Sequence, residues 1–187
     1  GGAAALEGLS LAVGVAIVRA LESHGVTELK LKWPNDVLWR GRKLAGVLLE
    51  MTGDVAGYCQ VVVGVGLNVS MPVEFGKNID QDWVDVSSIC TALGVEPLSR
   101  NELLGGVLEE LMPLLSSFQS KGFAFYRDSW EMLDAFKGQP VELHMGSHRI
   151  EGQAVGVSDT GALRIVSAGI ETQYNGGEIS LRGKLND

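Results

Sequence analysis

The stretch LKLKWPNDVLWRGRKLAGVLLEM, residues 29–51, carries the strongest fold signal in the chain. Residues 29–33 alternate between apolar and polar side chains, which is typical of a strand with one buried face. Pro34-Asn35-Asp36 is a turn signal, and Arg40-Gly41-Arg42 predicts a tight reversal before a mostly apolar strand. The stretch therefore predicts consecutive strands of an antiparallel or mixed sheet.

The flanking segments predict another strand and a layer of helices. Residues 4–24 have apolar positions at spacings of three and four, which predicts a helix, and the valine-rich run 60–69 predicts a strand. Further helices are predicted at 87–93, 99–122 and 123–135. The second of these starts with the capping-box pattern Ser99-x-x-Glu102. Together these elements predict an α+β fold in which helices cover one face of the sheet.

The pattern changes after Lys137-Gly138-Gln139-Pro140. Short β-rich segments separated by glycine or Asp/Asn turns are predicted near 141–145, 148–157, 162–167, 170–175 and 178–182. Five short strands within about fifty residues are typical of a small barrel. We therefore place a domain boundary near residue 136.

The composition is that of a globular protein, with 45% hydrophobic and 20% charged residues. No apolar run reaches the roughly 18 residues of a membrane span. The two cysteines, Cys59 and Cys90, form no C-x-x-C pair and no cluster with the three histidines. We therefore expect reduced thiols, a cytoplasmic location and no metal held by the chain.

The charge pattern excludes one function class and leaves two interpretations of a local cluster. A net charge of −8 argues against general nucleic-acid binding. Five of the 15 lysines and arginines fall between Lys30 and Lys43, where Asp36 is the only acid. This cluster favours either a site for an anionic small molecule or a solvated hairpin edge. Charge alone does not decide between them.

Three short motifs contain groups that can perform chemistry. Residues 32–36 place a lysine, an amide and a carboxylate at the end of a strand. In residues 43–50 a lysine opens a strand, and Gly46 permits a close approach to the backbone. Residues 64–68, Gly-Val-Gly-Leu-Asn, put two glycines on one strand face. This Gly-x-Gly lies within a strand and lacks a third glycine, which excludes the dinucleotide fingerprint. Each motif alone also has a structural interpretation as a bulge, a close-packed position or a solvated edge.

Taken together, in this order and spacing, the motifs closely resemble the biotin protein ligase family, bacterial type. The matching residues are Lys-Trp-Pro-Asn-Asp at 32–36, Lys-Leu-Ala-Gly at 43–46 with Glu50, and Gly-x-Gly-x-Asn at 64–68. Ala3-Ala4-Ala5 and Gly8-Leu9-Ser10-Leu11 resemble the helix that precedes this region in the family, and residues 176–182 resemble its C-terminal signature. The resemblance implies a class II aminoacyl-tRNA synthetase-like catalytic domain at 1–135 and an SH3-like barrel at 136–187.

The resemblance implies an ATP-dependent ligase that acts in two steps. Members of the family join biotin to ATP, with Mg²⁺ on the nucleotide, and form biotinyl-5'-AMP and pyrophosphate. They then transfer biotin to one lysine of a biotin carboxyl carrier domain, here expected to be that of acetyl-CoA carboxylase. A homodimer formed through the central sheet is a further expectation.

Roles for individual residues follow from the same resemblance. Lys43 is expected to be the main electrostatic catalyst and a biotin contact. Asp36 would orient or deprotonate the incoming lysine amine, or else help to hold magnesium, and we favour the first. Further contacts to biotin or the adenylate are implied for Lys32, Asn35, Gly46, Leu48, Gly64, Gly66, Asn68 and Arg182. Lys32 and Arg182 also have purely structural roles as alternatives.

The chain also departs from the family pattern. The family's glycine- and arginine-rich adenylate loop and its Ser/Thr-rich biotin contacts precede the first helix, and they are not among these 187 residues. Neither is the helix-turn-helix DNA-binding domain of some bacterial members. We therefore expect a truncated chain that is impaired alone and does not bind DNA. Alternatives are a non-catalytic biotin-sensing or partner-binding fragment of a biotin operon repressor, and a lipoate or octanoate transfer enzyme. Residues 32–36 and the C-terminal barrel count against the transfer enzyme.

Overall fold

The computed structural model describes residues 3–53, 59–72, 74, 81–146, 148–175 and 179–183. A short 3₁₀ turn at Ala3–Leu6 is followed by helix α1 (Leu9–Ser23). The next elements are β1 (Leu29–Lys32), β2 (Asp36–Trp39), β3 (Arg42–Gly53) and β4 (Cys59–Leu67). Helices α2 (Val86–Leu93), α3 (Arg100–Lys121) and α4 (Ala124–Leu133) come next. The last described strands are β5 (Pro140–Met145), β6 (His148–Val157), β7 (Leu163–Ser167), β8 (Ile170–Tyr174) and β9 (Ile179–Gly183).

The first sheet is antiparallel throughout, with the order β1-β2-β3-β4. Its tightest turn is Arg40-Gly41, where both residues have positive φ, 47° and 79°. This geometry matches the right-handed twist of the two flanking strands. The strained Arg40 conformation coincides with an ion pair to Glu28 at 2.7 Å. The predicted reversal at Arg40-Gly41-Arg42 is confirmed.

Helix α1 lies between the first sheet and the other helices and is therefore buried around most of its circumference. Gly14 brings α1 close to β1, since an added Cβ there would lie 3.2 Å from Leu31. The predicted helix 4–24 starts later than expected, at Leu9. Gly8 has a left-handed backbone (φ 72°) that separates α1 from the 3₁₀ turn.

Helix α3 begins with the predicted capping box. The Ser99 hydroxyl accepts a hydrogen bond from the Glu102 backbone N–H, and the Glu102 carboxylate accepts one from the Ser99 N–H. None of the helices in the described residues is both long and apolar enough to span a bilayer.

The second sheet contains the five predicted C-terminal strands, in the order β8-β7-β6-β5-β9. All of its pairings are antiparallel. Its buried side chains, among them Val141, Leu143 and Leu163, join those of the first sheet in one hydrophobic core. Helix α4 contacts both β1 and β6 and lies between the sheets. The α+β class is confirmed.

Candidate active site

The predicted site residues form a single row across one face of the first sheet. Lys32 is paired with Asp36, Asp36 with Gly46, and Gly46 with Gly66. Directly paired residues of antiparallel strands point to the same face. Each of the four strands therefore contributes one member of this row. The opposite face of the sheet packs against α1, so we call the face with the row the open face.

Lys43 reaches the row and forms an ion pair with Asp36. The distance between Lys43 Nζ and Asp36 Oδ1 is 2.7 Å, and Lys32 Nζ lies 4.0 Å from Asp36 Oδ2. A register shift in the β2–β3 pairing pairs Lys43 with Leu38 and leaves Leu44 as the extra residue. This bulge puts Lys43 on the open face. One buried carboxylate between two ammonium groups leaves a local excess of one positive charge.

Two arginines of the basic cluster lie at the hairpin edge. The guanidinium groups of Arg40 and Arg42 lie 4.4 and 5.0 Å from the centre of the Trp39 ring. Arg40 also donates two hydrogen bonds to the Glu28 carboxylate. The geometry thus divides the cluster into an edge with two arginines, a candidate site with Lys32 and Lys43, and Lys30, which donates to the Met132 oxygen.

Glycines keep the open face clear beside this ion pair. An added Cβ at Gly46 would lie 3.4 Å from Lys43 Cε, and one at Gly64 would lie 3.4 Å from the Leu48 carbonyl oxygen. At Gly66 the nearest atom would be the Gly46 oxygen, at 3.8 Å. Leu48 is 62% exposed on the same face. The result is a shallow surface with small or apolar groups beside an ammonium group, suited to an apolar ring that bears a carboxylate.

Two predicted nucleotide contacts use their amide donors on the backbone. Asn35 Nδ2 donates to the Val47 oxygen at 2.8 Å. Asn68 Nδ2 donates to the oxygens of Lys43 and Val84, at 3.4 and 3.1 Å. In this structure both side chains hold the segments that carry Asp36 and Lys43.

Sequence reasoning missed Trp83, which lies next to Lys43. Lys43 and Trp83 form a parallel bridge, with hydrogen bonds of 2.9 Å from Lys43 N to the Asp82 oxygen and from Val84 N to the Lys43 oxygen. Paired residues point to the same side, so the half-buried indole borders the open face. The only sequence signal is a lone tryptophan in the stretch 71–86, whose acidic and polar content predicts a loop.

Asp85 anchors this segment. Its carboxylate accepts hydrogen bonds of 2.8 Å from the N–H groups of Ser88, at the start of α2, and Met71. Burial raises the pKa of Asp85, but these hydrogen bonds outweigh it and hold the pKa below its usual value. Trp83 therefore lies next to a firmly held helix start.

The last predicted residue, Arg182, lies on β9 in the second sheet. It is paired with Glu142 of β5. Its side chain and residues 176–178 of the C-terminal signature lie outside the described part of the chain.

Within the described part, no three His, Cys, Asp or Glu side chains converge on a common metal position.

Comparisons with known proteins converge on one family. The profile of the biotin/lipoate A/B protein ligase family matches residues 2–68, and that of the biotin protein ligase C-terminal domain matches residues 136–182. The bifunctional ligase/repressor BirA of Escherichia coli is 38% identical over 181 residues, 97% of this chain and 55% of that protein. The biotin–[acetyl-CoA-carboxylase] ligase of Paracoccus denitrificans is 32% identical over 167 residues, 87% of this chain and 68% of that protein. The chain thus spans about half the length of the Escherichia coli protein.

A solved structure shows the same architecture. Biotin protein ligase from Aquifex aeolicus, in complex with biotin and ATP, superimposes with a TM-score of 0.79 at 30% identity. The match covers 96% of this chain and 72% of that one.

Proposed function

The chain belongs to the biotin protein ligase family, and we propose that it is part of an ATP-dependent enzyme that attaches biotin to a carrier protein. In the first step a biotin carboxylate oxygen attacks the α-phosphorus of ATP, and pyrophosphate leaves. In the second, the amine of one lysine on a biotin carboxyl carrier domain attacks the acyl carbon of biotinyl-5'-AMP. An amide forms and AMP leaves. The expected carrier is the domain of acetyl-CoA carboxylase.

The observation that supports this proposal best is the Lys43–Asp36 pair at 2.7 Å beside the glycines of the open face. The first step brings the biotin carboxylate against the negatively charged α-phosphate, and in the second an oxyanion develops on the acyl oxygen. A fixed ammonium group there reduces the repulsion between carboxylate and phosphate and stabilises the developing oxyanion. We assign both effects to Lys43.

Asp36 orients Lys43 before substrate binds and takes the proton of the attacking amine in the second step. Its carboxylate lies between two lysines. This surrounding disfavours a role as a magnesium ligand, because the ammonium groups compete for its oxygens. Mg²⁺ is therefore expected to arrive with the phosphates of ATP.

The remaining site residues divide into two groups. Gly46, Leu48, Gly64 and Gly66 form the surface for the biotin ring. The nucleotide is contacted by Lys32, Asn68, Trp83 and Arg182, while Asn35 sets the geometry of the turn. The half-buried Trp83 offers a flat apolar surface next to Lys43.

We also propose a two-domain organisation. Residues 1–135 form a class II synthetase-like domain and residues 136–187 an SH3-like barrel. The separate sheets and the separate family profiles support this division. The free thiols of Cys59 and Cys90 favour a cytoplasmic location. A homodimer through the first sheet is testable by light scattering, which would give twice the monomer mass.

One assay tests the function. This chain and a full-length protein that contains it are each incubated with biotin, MgATP and a biotin carboxyl carrier domain, and the carrier is probed with streptavidin. We expect labelling that depends on ATP and is lost with Lys43→Ala. The proposal is contradicted if the full-length protein leaves the carrier unlabelled, or if the carrier gains lipoate and no biotin when both are supplied.

A biotin-sensing role without catalysis is the second candidate, favoured by the similarity to a bifunctional ligase/repressor. It predicts biotin binding without ATP-dependent release of pyrophosphate. A pyrophosphate assay on the same samples separates the two.

A further inference from the structure

The turn that carries Asp36 is held by a loop of the other sheet. Trp33 is 1% exposed, and its indole Nε1 donates a hydrogen bond of 3.0 Å to the Gly161 carbonyl oxygen. Gly161 lies 128 positions further along the chain, between β6 and β7. The contact therefore joins the motif at 32–36 directly to the second sheet.

Residues 158–162, which we call the β6–β7 loop, form a tightly closed turn. Ser158 N donates to the Ala162 oxygen at 2.8 Å, and Gly161 N donates to the Ser158 oxygen at 3.0 Å. The Ser158 hydroxyl also accepts a hydrogen bond of 3.1 Å from Ala162 N. These bonds hold the Gly161 carbonyl in one direction, as required of a group that positions another.

Only glycine fits at position 161 in this arrangement. Its φ is +83°, and an added Cβ would lie 2.8 Å from the Gly8 Cα and 3.0 Å from the Leu11 Cδ1. The first distance is shorter than real Cβ contacts, and its partner is backbone, so the loop would have to move. A side chain at position 161 would therefore displace the acceptor of Trp33.

The turn between β1 and β2, which contains Trp33, is also held by α1 and by β3. The Ser10 hydroxyl on α1 donates to the Pro34 oxygen at 3.2 Å, and Val47 N on β3 donates to the Asn35 oxygen at 2.9 Å. Three elements thus act on three consecutive residues, Trp33, Pro34 and Asn35. Asp36 follows directly and begins β2 with a defined backbone direction.

We infer that the β6–β7 loop is a positioning element of the active site, which acts through Trp33 on the placement of the Asp36 carboxylate against Lys43. The catalytic consequence rests on the proposed function, but the structural one does not. A displacement of about 1 Å at a reacting group can cost about a hundredfold in rate. The loop acts on this turn through the Trp33–Gly161 hydrogen bond, so the effect we infer is on geometry and not on substrate contact.

Two variants and a matched control test the inference. Trp33→Phe keeps an aromatic ring and removes the indole donor, whereas Gly161→Ala displaces the acceptor. Gly169→Ala is the control, because Gly169 has a similar φ of +80° and an added Cβ there meets nothing within 4 Å. We expect both test variants to lower kcat for biotinyl-5'-AMP formation about tenfold per folded molecule, with KM for biotin changed less than about twofold. Gly169→Ala should keep the wild-type kcat.

A spectrum of the ligand-free protein tests the same inference without turnover. In ¹H–¹⁵N correlation spectra the amide signals of Asn35 and Asp36 should move in Trp33→Phe and Gly161→Ala, and stay in place in Gly169→Ala. If the full-length wild-type protein makes no biotinyl-5'-AMP, the proposed function fails, and these signals still decide the positioning role.

The double variant distinguishes positioning through Trp33 from two independent defects. On the Trp33→Phe background, Gly161→Ala should reduce kcat by less than about a further twofold. The inference would be overturned if the kcat losses of the two single variants multiplied in the double variant. It would also be overturned if Trp33→Phe kept the wild-type kcat and the Asp36 amide signal did not move. If Gly161→Ala does not fold, Trp33→Phe carries the test through its kcat and its Asp36 signal.

Discussion

The two faces of the first sheet are built from the same strands and have opposite chemistry. On the face against α1, Leu31, Val37 and Ala45 are at most 2% exposed. One residue away along the same strands, Lys32, Asp36 and Gly46 lie in the row on the open face. Because side chains alternate along a strand, a short sequence can specify the core on one side and a site on the other. Substitutions on the two faces should therefore have separable effects.

Two aspartates show how the surroundings of a carboxylate differ between the open face and the packed face. Asp36, in the open-face row, is paired with Lys43. Asp134 is paired with Leu31 of the packed face in a parallel bridge, and it has no comparable ion pair in the described residues. Its Oδ1 accepts a hydrogen bond of 2.9 Å from Phe136 N. Burial raises the pKa of Asp134 to about 6, and the nearby charge of Glu131 adds to the rise. Removing a charge should thus harm the site at Asp36 and relieve the structure at Asp134.

The largest expected effect is that of Lys43→Ala on the open face. We expect kcat for biotinyl-5'-AMP formation to fall about 10²- to 10³-fold, because a fixed charge at the reacting carboxyl group is lost. The protein should stay folded, with the free energy of unfolding lowered by about 1–3 kcal/mol, because the buried Asp36 carboxylate then keeps only Lys32, at 4.0 Å. Pyrophosphate release and urea unfolding measure the two quantities.

Lys30→Ala is the matched control for Lys43→Ala. It removes the same charge from an exposed position of β1 whose Nζ donates to the Met132 oxygen. An equal loss of activity in both variants would mean that only the overall charge of the face matters.

The next largest effect is the difference in stability between a leucine-to-alanine change on the packed face and one on the open face. Leu31→Ala on the packed face should lower the free energy of unfolding by about 3 kcal/mol, because it leaves a cavity against α1. Leu48→Ala, at a side chain 62% exposed, should change it by less than about 0.5 kcal/mol.

Activity should show the reverse order for these two leucines. We expect Leu48→Ala to raise KM for biotin severalfold, and folded Leu31→Ala to keep the wild-type KM. Similar stability losses in both variants would contradict the division of the sheet into a packed and an open face.

Asp134→Asn should stabilise the protein, and more so as the pH rises. The pKa of Asp134 is raised from 3.8 to about 6, so its protonated form favours folding. That contribution is complete below about pH 4 and is lost as the pH rises through about 6, where the buried carboxyl group ionises. A pKa difference of about two between the folded and unfolded states changes the free energy of unfolding by at most about 3 kcal/mol, since one pKa unit corresponds to about 1.4 kcal/mol.

The measurement is the difference in melting temperature between Asp134→Asn and wild type, taken from about pH 4 to pH 8. It should be near zero at the acid end and positive at the basic end. If the difference in melting temperature stayed constant over this pH range, Asp134 would not titrate between about pH 4 and pH 8.

The smallest expected effect is that of Gly46→Ala in the row. The added Cβ would lie 3.5 Å from Lys43 Nζ and 3.6 Å from Asp36 Oδ1, which are ordinary van der Waals contacts, so the ion pair stays in place and the methyl group takes up space on the open face. We expect KM for biotin to rise about threefold to tenfold, which corresponds to about 1 kcal/mol. Gly105→Ala in α3 serves as the control, since nothing lies within 4 Å of its added Cβ. Unchanged biotin binding in Gly46→Ala would show that this glycine does not border the ligand.

Much of the fold could be predicted because local signals agreed with one another. Period-two alternation, the turn at Arg40-Gly41 and the Ser99–Glu102 capping box each act over a few residues. The start of α1 was predicted too early because periodicity does not reveal the left-handed backbone of Gly8. For the site, the order of the motifs predicted which strands contribute. It did not show that Asn35 and Asn68 bind backbone carbonyls, or that Trp83 lies beside Lys43.

The sequence by itself determined the order of strands and helices, the hairpin turn and the residue types of the site, because these depend on neighbouring residues. Only the tertiary structure decided which of them meet. A bulge at Leu44 turns Lys43 toward Asp36, and register aligns Lys32, Asp36, Gly46 and Gly66 across four strands. The hydrogen bond from Trp33 to Gly161 joins residues 128 positions apart. Such contacts depend on strand register and on packing between distant segments, which no local pattern encodes.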